Sequence, residues 1–133
     1  MTAMKPDDPI RLLVKGPAIQ VQREATLRSV AETLAGDSIG AASVRHTDPP
    51  ALVSERDIVR ALADGADPDQ ERAGDVMTEE VVSIAPDAPL ADAVRLMLDN
   101  EIRHIPVIED GVVAGMVSVR DVLAALAGEA PTT

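Results

Sequence analysis

Two stretches of this chain are copies of one another. With a shift of 64 residues, Ala51-Leu-Val-Ser-Glu-Arg-Asp-Ile-Val-Arg-Ala-Leu-Ala63 lies over Gly115-Met-Val-Ser-Val-Arg-Asp-Val-Leu-Ala-Ala-Leu-Ala127, and seven of the thirteen positions are identical. With a shift of 63, Ala18–Val44 lies over Val81–Val107 without a gap, pairing Leu27 with Leu90, Ile39 with Ile102 and Val44 with Val107. A one-residue difference in a hairpin reconciles the two shifts. Apolar positions keep their phase even where identities differ, so chance agreement is a poor explanation. The 133 residues therefore form one compact domain or two small repeats sharing a core.

Each repeat reads as strand, helix, strand, strand, helix, an α/β (α+β) pattern. In the second copy Val81–Ile84 is a short strand, and Leu90, Ala93, Val94 and Met97 recur as one helix face. His104–Ile108 and Val112–Val119 flank Glu-Asp-Gly, which marks a hairpin. Val122, Leu123 and Leu126 carry a closing helix with Gly128 as its stop. The first copy follows with Ala18–Val21, Leu27–Ala35, Ile39–Val44, Leu52-Val53 and Ile58–Ala63, and Thr26 is a natural N-cap. Its hairpin, Arg45-His-Thr-Asp-Pro-Pro50, is irregular. The expected organisation is a flexible tail at 1–9, repeats at 10–64 and 76–128, an acidic connector at 65–75, and a second tail at 129–133. Seven acids and a single base, Arg72, between Asp64 and Glu80 read as a solvated rim.

Composition removes whole classes of function. Hydrophobic residues make up 46% of the chain, enough for a core, yet Phe, Tyr and Trp are absent, so that core is aliphatic. No base can stack on an aromatic ring, which excludes the usual single-strand nucleic-acid platforms. A net charge of -11 repels phosphate backbones and anionic membranes, so neither nucleic acid nor a membrane is an expected partner. With no cysteine there is no disulfide, thiol nucleophile, iron–sulfur cluster or thiolate zinc site. No apolar run approaches the ~20 residues of a membrane helix, and residues 1–9 carry no signal-peptide pattern. The expectation is a soluble, unexported, cytoplasmic protein.

The chemistry-bearing repeat is Ser-x-Arg-Asp where a strand gives way to a helix: Ser54-Glu-Arg-Asp57 and Ser118-Val-Arg-Asp121. Ser at the N-cap with an acid three residues on is a capping box that satisfies orphan amides. The same geometry leaves a positive helix end suited to phosphate, beside an acceptor-only carboxylate suited to two adjacent hydroxyls. Both roles are compatible. His104 lacks a second metal ligand in its segment and reads as a cleft-lining or partly buried side chain, while His46 reads as exposed. Met97 and Met116 fall at apolar-phase positions and read as core.

Roughly residues 10–128 resemble the tandem cystathionine-beta-synthase-type (CBS) domain pair, or Bateman module. The resemblance rests on Arg103-His-Ile-Pro-Val107 followed by Gly111-Val-Val-Ala-Gly-Met-Val-Ser-Val-Arg-Asp121, and on Ile39-Gly-Ala-Ala42 followed by Leu52-Val-Ser-Glu-Arg-Asp-Ile-Val-Arg60. It implies two β-α-β-β-α repeats packed face to face with pseudo-two-fold symmetry, adenosine-type ligands in the clefts between them, and a homodimer. Carried onto this chain, Asp57 and Asp121 would accept ribose hydroxyls, with Ser54 and Ser118 nearby. Val82, Ile102 and Ile105 would wall adenine in the second site, as Ile19, Ile39 and Ala42 would in the first. Backbone amides near Arg103-His104 and Gly40-Ala41 would read the base edge, and Arg56, Arg120, Arg103 and His104 would meet phosphate.

The first copy departs from the family pattern. Ala51, preceded by Pro49-Pro50, stands where the second copy keeps Gly115, and Gly40-Ala41 replaces the charged Arg103-His104. Unequal sites follow, the second being better suited to a phosphorylated ligand. Net acidity favours AMP over ATP, with ADP, NAD and S-adenosylmethionine as further candidates. No cofactor is required and no catalytic group is expected, because no glycine-rich phosphate loop, nucleophile elbow or metal-spaced histidine pair appears. The expected function is a regulatory sensor acting in trans on a separate protein; the alternative is a dimerising scaffold with vestigial sites. Ile58, Leu62, Leu123 and Leu126 are the expected leftover apolar faces for a dimer.

Overall fold

The structure, a computed structural model, describes residues 2–128. It divides into two units, one spanning Ile19–Val81 and the other combining the residues up to Ala18 with those from Val82 onward. The expected tail at 129–133 lies outside the described residues.

In the Ile19–Val81 unit, β1 (Gln20–Val21) runs parallel to β2 (Ala41–Val44), which pairs antiparallel with β3 (Ala51–Ser54). Between β1 and β2 lies α1 (Leu27–Gly36), whose Leu27, Val30 and Leu34 are buried at i, i+3 and i+7. The Thr26 hydroxyl accepts the Ser29 amide at 3.2 Å, so the N-cap falls where the sequence put it. Helix α2 (Glu55–Ala63) follows β3 directly. Val21, Val30, Val44, Val53 and Ile58 build an aliphatic core. Ile58 is only 9% exposed and belongs to this core rather than to a dimer face; Leu62, Leu123 and Leu126 remain exposed.

The acidic segment after α2 is an integral part of this unit, not a free connector. The Glu71 and Pro68 carbonyls accept the amides of Leu27 and Arg28, two of the orphan donors at the start of α1, both at 3.0 Å. Helix α3 (Ala73–Val76) buries Ala73 completely, with the Ala73 amide donating to the Ala25 carbonyl at 2.8 Å. Asp64, Asp67, Asp69, Asp75, Glu79 and Glu80 still face solvent, as a charge-rich rim should.

The other unit repeats the plan. Helix α4 (Leu90–Asn100) packs Leu90, Ala93 and Met97 inward, and β4 (His104–Glu109) pairs antiparallel with β5 (Val112–Ser118) before α5 (Val119–Leu126). Asp110 and Gly111, at φ 53 and 77, form the two-residue turn that both positive dihedrals allow. The core comprises Ile84, Leu90, Ile105, Val107, Val117 and Val122, joined by Ile10 and Leu13 of a short 3-10 helix (Ile10–Leu13). Met116 is half-buried, less enclosed than its phase suggested.

Two expectations need correction here. Residues 2–9 are not a free tail, and residues 10–18 group with the second repeat rather than the first. Pro89 offers α4 no side-chain cap, so the carbonyls of Asp8 and Pro6 accept the Leu90 and Ala91 amides, each at 2.8 Å. The same shift of 63 relates Ile10 N–H to Ala88 C=O with Ala73 N–H to Ala25 C=O, and Arg11 N–H to Pro86 C=O with Gly74 N–H to Arg23 C=O. The N-terminal segment and the acidic segment are thus one structural element in two copies. Second, the strand expected at Val81–Ile84 contracts to a single parallel bridge, Ile84 with Val107. In the first copy the Ser43 amide donates to the Ile19 carbonyl at 2.9 Å. Its counterpart is Pro106, which has no N–H, so the ladder cannot extend to Val82.

Candidate functional site

Each unit carries one candidate site at the turn where the last strand of its repeat becomes a helix. In the first, Ser54 closes β3 opposite Ala41 and caps α2. Its hydroxyl accepts the Asp57 amide at 3.2 Å, while Asp57 Oδ2 accepts the Ser54 amide at 2.9 Å and the Ser54 hydroxyl at 3.1 Å. The Gly40 carbonyl accepts the Glu55 amide at 2.9 Å, which fixes Ile39-Gly40-Ala41 beside the turn.

The second turn is built the same way. Ser118 lies opposite His104 at the end of the β4–β5 ladder, its hydroxyl accepts the Asp121 amide at 3.1 Å, and Asp121 Oδ2 accepts the Ser118 amide at 2.9 Å. The Arg103 carbonyl accepts the Val119 amide at 2.8 Å. Arg103-His104 therefore occupies the place that Gly40-Ala41 holds in the first turn, with Arg103 and Arg120 exposed and His104 half-buried. Both turns are intact capping boxes.

Of the side chains expected to wall adenine, only some carry exposed surface. Ile105 and Ala42 are wholly buried, at 0% exposure, within the cores of their units, so neither offers surface to a ligand. A strand side chain can face the core or the other side, not both. Val82, Ile102 and Ile39 are half-buried and Ile19 is exposed, so these retain accessible apolar surface. Arg56 is exposed, and so is His46. Among the described residues no cluster of three His, Asp or Glu side chains could hold a metal ion, and no helix is long and apolar enough to cross a membrane.

Sequence reasoning missed one residue that touches a site. The Thr78 hydroxyl donates to Asp57 Oδ1 at 3.0 Å and approaches Oδ2 at 3.3 Å. Thr78 is held there by reciprocal backbone bonds with Leu52, at 2.7 and 3.0 Å. It lies beyond the segments whose repeat was recognised. Extending the shift of 63 upstream aligns Thr78 with Lys15 in the sequence.

A family profile described as the CBS domain matches residues 73–128. The chain is 32% identical, with a TM-score of 0.75, to a CBS domain protein from Pyrobaculum aerophilum complexed with AMP, over 90% of this chain and 98% of that one. It is 29% identical, with a TM-score of 0.80, to a CBS-domain containing protein from Agrobacterium tumefaciens, over 88% and 98% of the two chains. A mitochondrial CBS domain-containing protein of Arabidopsis thaliana is 41% identical over 81 residues, 59% of this chain and 39% of that protein. This chain belongs to the CBS-domain family. It spans about two fifths of the length of several curated relatives that it matches.

Proposed function

We propose that this chain is a non-enzymatic regulatory module that binds an adenosine-containing ligand, AMP most readily, at the Ser118–Asp121 turn and acts in trans on a separate protein. The observation that carries the reading is the Asp121 carboxylate. Its Oδ2 accepts the Ser118 amide at the start of α5, Arg120 precedes it in the chain, the Arg103 carbonyl accepts the Val119 amide, and both arginine side chains are exposed. A carboxylate suits two vicinal hydroxyls, and a helix start with nearby guanidinium groups suits a phosphate. The AMP carried by the Pyrobaculum relative supports the same chemistry. A signalling role requires the ligand to bind two arrangements of the module unequally. The reading places the module in the cytoplasm as a homodimer, with Leu123 and Leu126 among the exposed apolar side chains available for association.

Calorimetric unfolding with AMP, ADP, ATP, NAD and S-adenosylmethionine tests this, since a chain without Trp or Tyr gives no useful intrinsic fluorescence. AMP at about a hundred times its dissociation constant stabilises by roughly 2.7 kcal/mol, a shift of several degrees, and Asp121→Asn abolishes it. No shift with any of the five, in a protein that sediments as a dimer, favours a scaffold whose sites are vestigial. The uncharged Gly40-Ala41 segment beside Asp57 is the feature on that side.

A further inference from the structure

Away from the two turns, the Ile19–Val81 unit carries a polar cleft of about 410 Å³ lined by Arg23, Glu24, Arg72, Gly74 and Asp75. Main-chain bonds frame it. The Gly74 amide donates to the Arg23 carbonyl at 2.9 Å and the Ala73 amide to the Ala25 carbonyl at 2.8 Å, which laces residues 23–25 to residues 72–74. Two of the charged side chains are tied to this frame: Arg72 Nη1 donates to the Glu24 carbonyl at 2.6 Å, and Asp75 Oδ2 accepts the Arg72 amide at 3.0 Å. The Arg23 side chain lies over Gly74, its Nε 3.5 Å from the place a methyl group would take there. Among the described residues no ion pair joins Arg23 or Arg72 to Glu24 or Asp75.

The repeat shows that the fold does not ask for these charges. The same two main-chain bonds recur in the other unit, from the Arg11 amide to Pro86 and from the Ile10 amide to Ala88. There the shift of 63 sets Pro86, Pro9 and Leu12 in place of Arg23, Arg72 and Asp75, and Arg11, in the place of Gly74, pairs directly with Asp87, the counterpart of Glu24. One backbone element thus carries a closed ion pair in one copy and two guanidinium and two carboxylate groups around a cleft in the other. A simple anion there meets Glu24 and Asp75 as well as the arginines, and a simple cation meets the reverse; a molecule with both charges a few bonds apart can meet each with its opposite. We propose that this cleft binds a free α-amino acid as its zwitterion, the carboxylate on Arg23 and Arg72 and the ammonium on Glu24 and Asp75. Guanidinium groups suit a planar carboxylate, and an ammonium brings three donors to acceptor-only carboxylates.

The test is amide chemical-shift mapping of the full chain by two-dimensional NMR during titration with L-alanine, L-glutamate and L-arginine, beside acetate and methylammonium, which carry one charge each. At least one of the amino acids should move the amides of residues 23–26 and 72–76 saturably, with a dissociation constant below ~10 mM. Acetate and methylammonium should bind more weakly by about tenfold, each having lost one of the two charge contacts. Arg23→Gln and Glu24→Gln, each checked for folding by far-UV circular dichroism, should weaken that amino acid by about tenfold as well. The proposal is overturned if none of the amino acids moves those amides saturably below ~10 mM, if acetate or methylammonium alone binds comparably, or if either folded variant binds the amino acid unchanged. Should a variant not fold, the comparison with acetate and methylammonium in the natural chain decides alone. Each outcome leaves the adenosine reading as it stands, because no residue of this cleft belongs to a Ser-x-x-Asp turn.

Discussion

Replacing Gly115 by Ala should destabilise the protein through a single contact. A methyl built on Gly115 falls 2.6 Å from Val14 Cγ1 and 3.2 Å from the Gly16 carbonyl oxygen. Carbon atoms are comfortable at about 3.5–4.0 Å, so Val14 must retreat by roughly 1 Å. Valine is stiff about χ1, and the Gly16 oxygen closes the other side. Overpacking of this kind costs about 1–3 kcal/mol, offset by about 0.4–1 kcal/mol because alanine restricts the unfolded chain more than glycine does. The net loss is at most about 2.6 kcal/mol, a fall of up to roughly 10 °C in midpoint at this chain length. Ala51 occupies the matching position in the first repeat at 1% exposure; there the counterpart of Val14 is Met77, an unbranched chain packed against the same cluster. Thermal denaturation followed by circular dichroism at fixed protein concentration, for Gly115→Ala, Val14→Ala and the double variant, isolates the contact. With Val14 truncated, Gly115→Ala becomes neutral or mildly stabilising. An equal cost in both backgrounds would refute the steric account.

Two further expectations concern the sheet and the rim. Pro106→Ser supplies the amide missing from the second copy, so its N–H should bond the Val82 carbonyl as Ser43 bonds Ile19, and hydrogen exchange should find that amide protected; fast exchange there counts against proline as the cause of the shortened strand. The Arg28 guanidinium, bonded to Asp69 at 2.5 and 3.0 Å, holds the Asp69 carboxyl below its ordinary value and is itself held above its own. These two shifts report one interaction. Because the carboxyl is depressed in the folded state, the pair's contribution is complete above the ordinary carboxylate range and is lost as pH falls through the lowered value. Carbon-detected NMR titration should show the Asp69 midpoint rising towards the ordinary value in Arg28→Gln, and an unchanged midpoint would contradict the assignment.

What could be read from the sequence was what side chains announce. Thr26, Ser54 and Ser118 cap helices because a short hydroxyl before an apolar period has few other uses, and Asp110-Gly111 turns the hairpin because both dihedrals must be positive. What could not be read was work done by the main chain. Asp8, Pro6, Glu71 and Pro68 cap α4 and α1 through carbonyls that every residue possesses, so the kinship of the N-terminal and acidic segments leaves almost no identity behind. Periodicity marked Val81–Ile84 as a strand and carried no sign that a proline 22 residues beyond Ile84 withholds its partner amide. Ile105 and Ala42 are apolar residues of strands whose neighbouring positions are buried as well, and both lie in the cores of their units. Thr78 escaped because its contact with Asp57 joins residues 21 apart that no motif connects.

The capping box and the proposed ligand site coexist because they use different atoms of one side chain. Asp121 accepts the Ser118 amide through Oδ2, at 2.9 Å, and its other oxygen is Oδ1. Asp121→Asn can keep an oxygen on the Ser118 amide while placing an NH2 where Oδ1 stood. The start of α5 then retains its bond, and two ribose hydroxyls meet a donor instead of an acceptor. The substitution should therefore lower stability by no more than the ~0.5–2 kcal/mol typical of a whole cap, while removing AMP altogether. Asp121→Ala loses both. If asparagine binds AMP as aspartate does, the carboxylate is not the group that receives the ribose, and the Ser-x-x-Asp turn is a helix cap and nothing more.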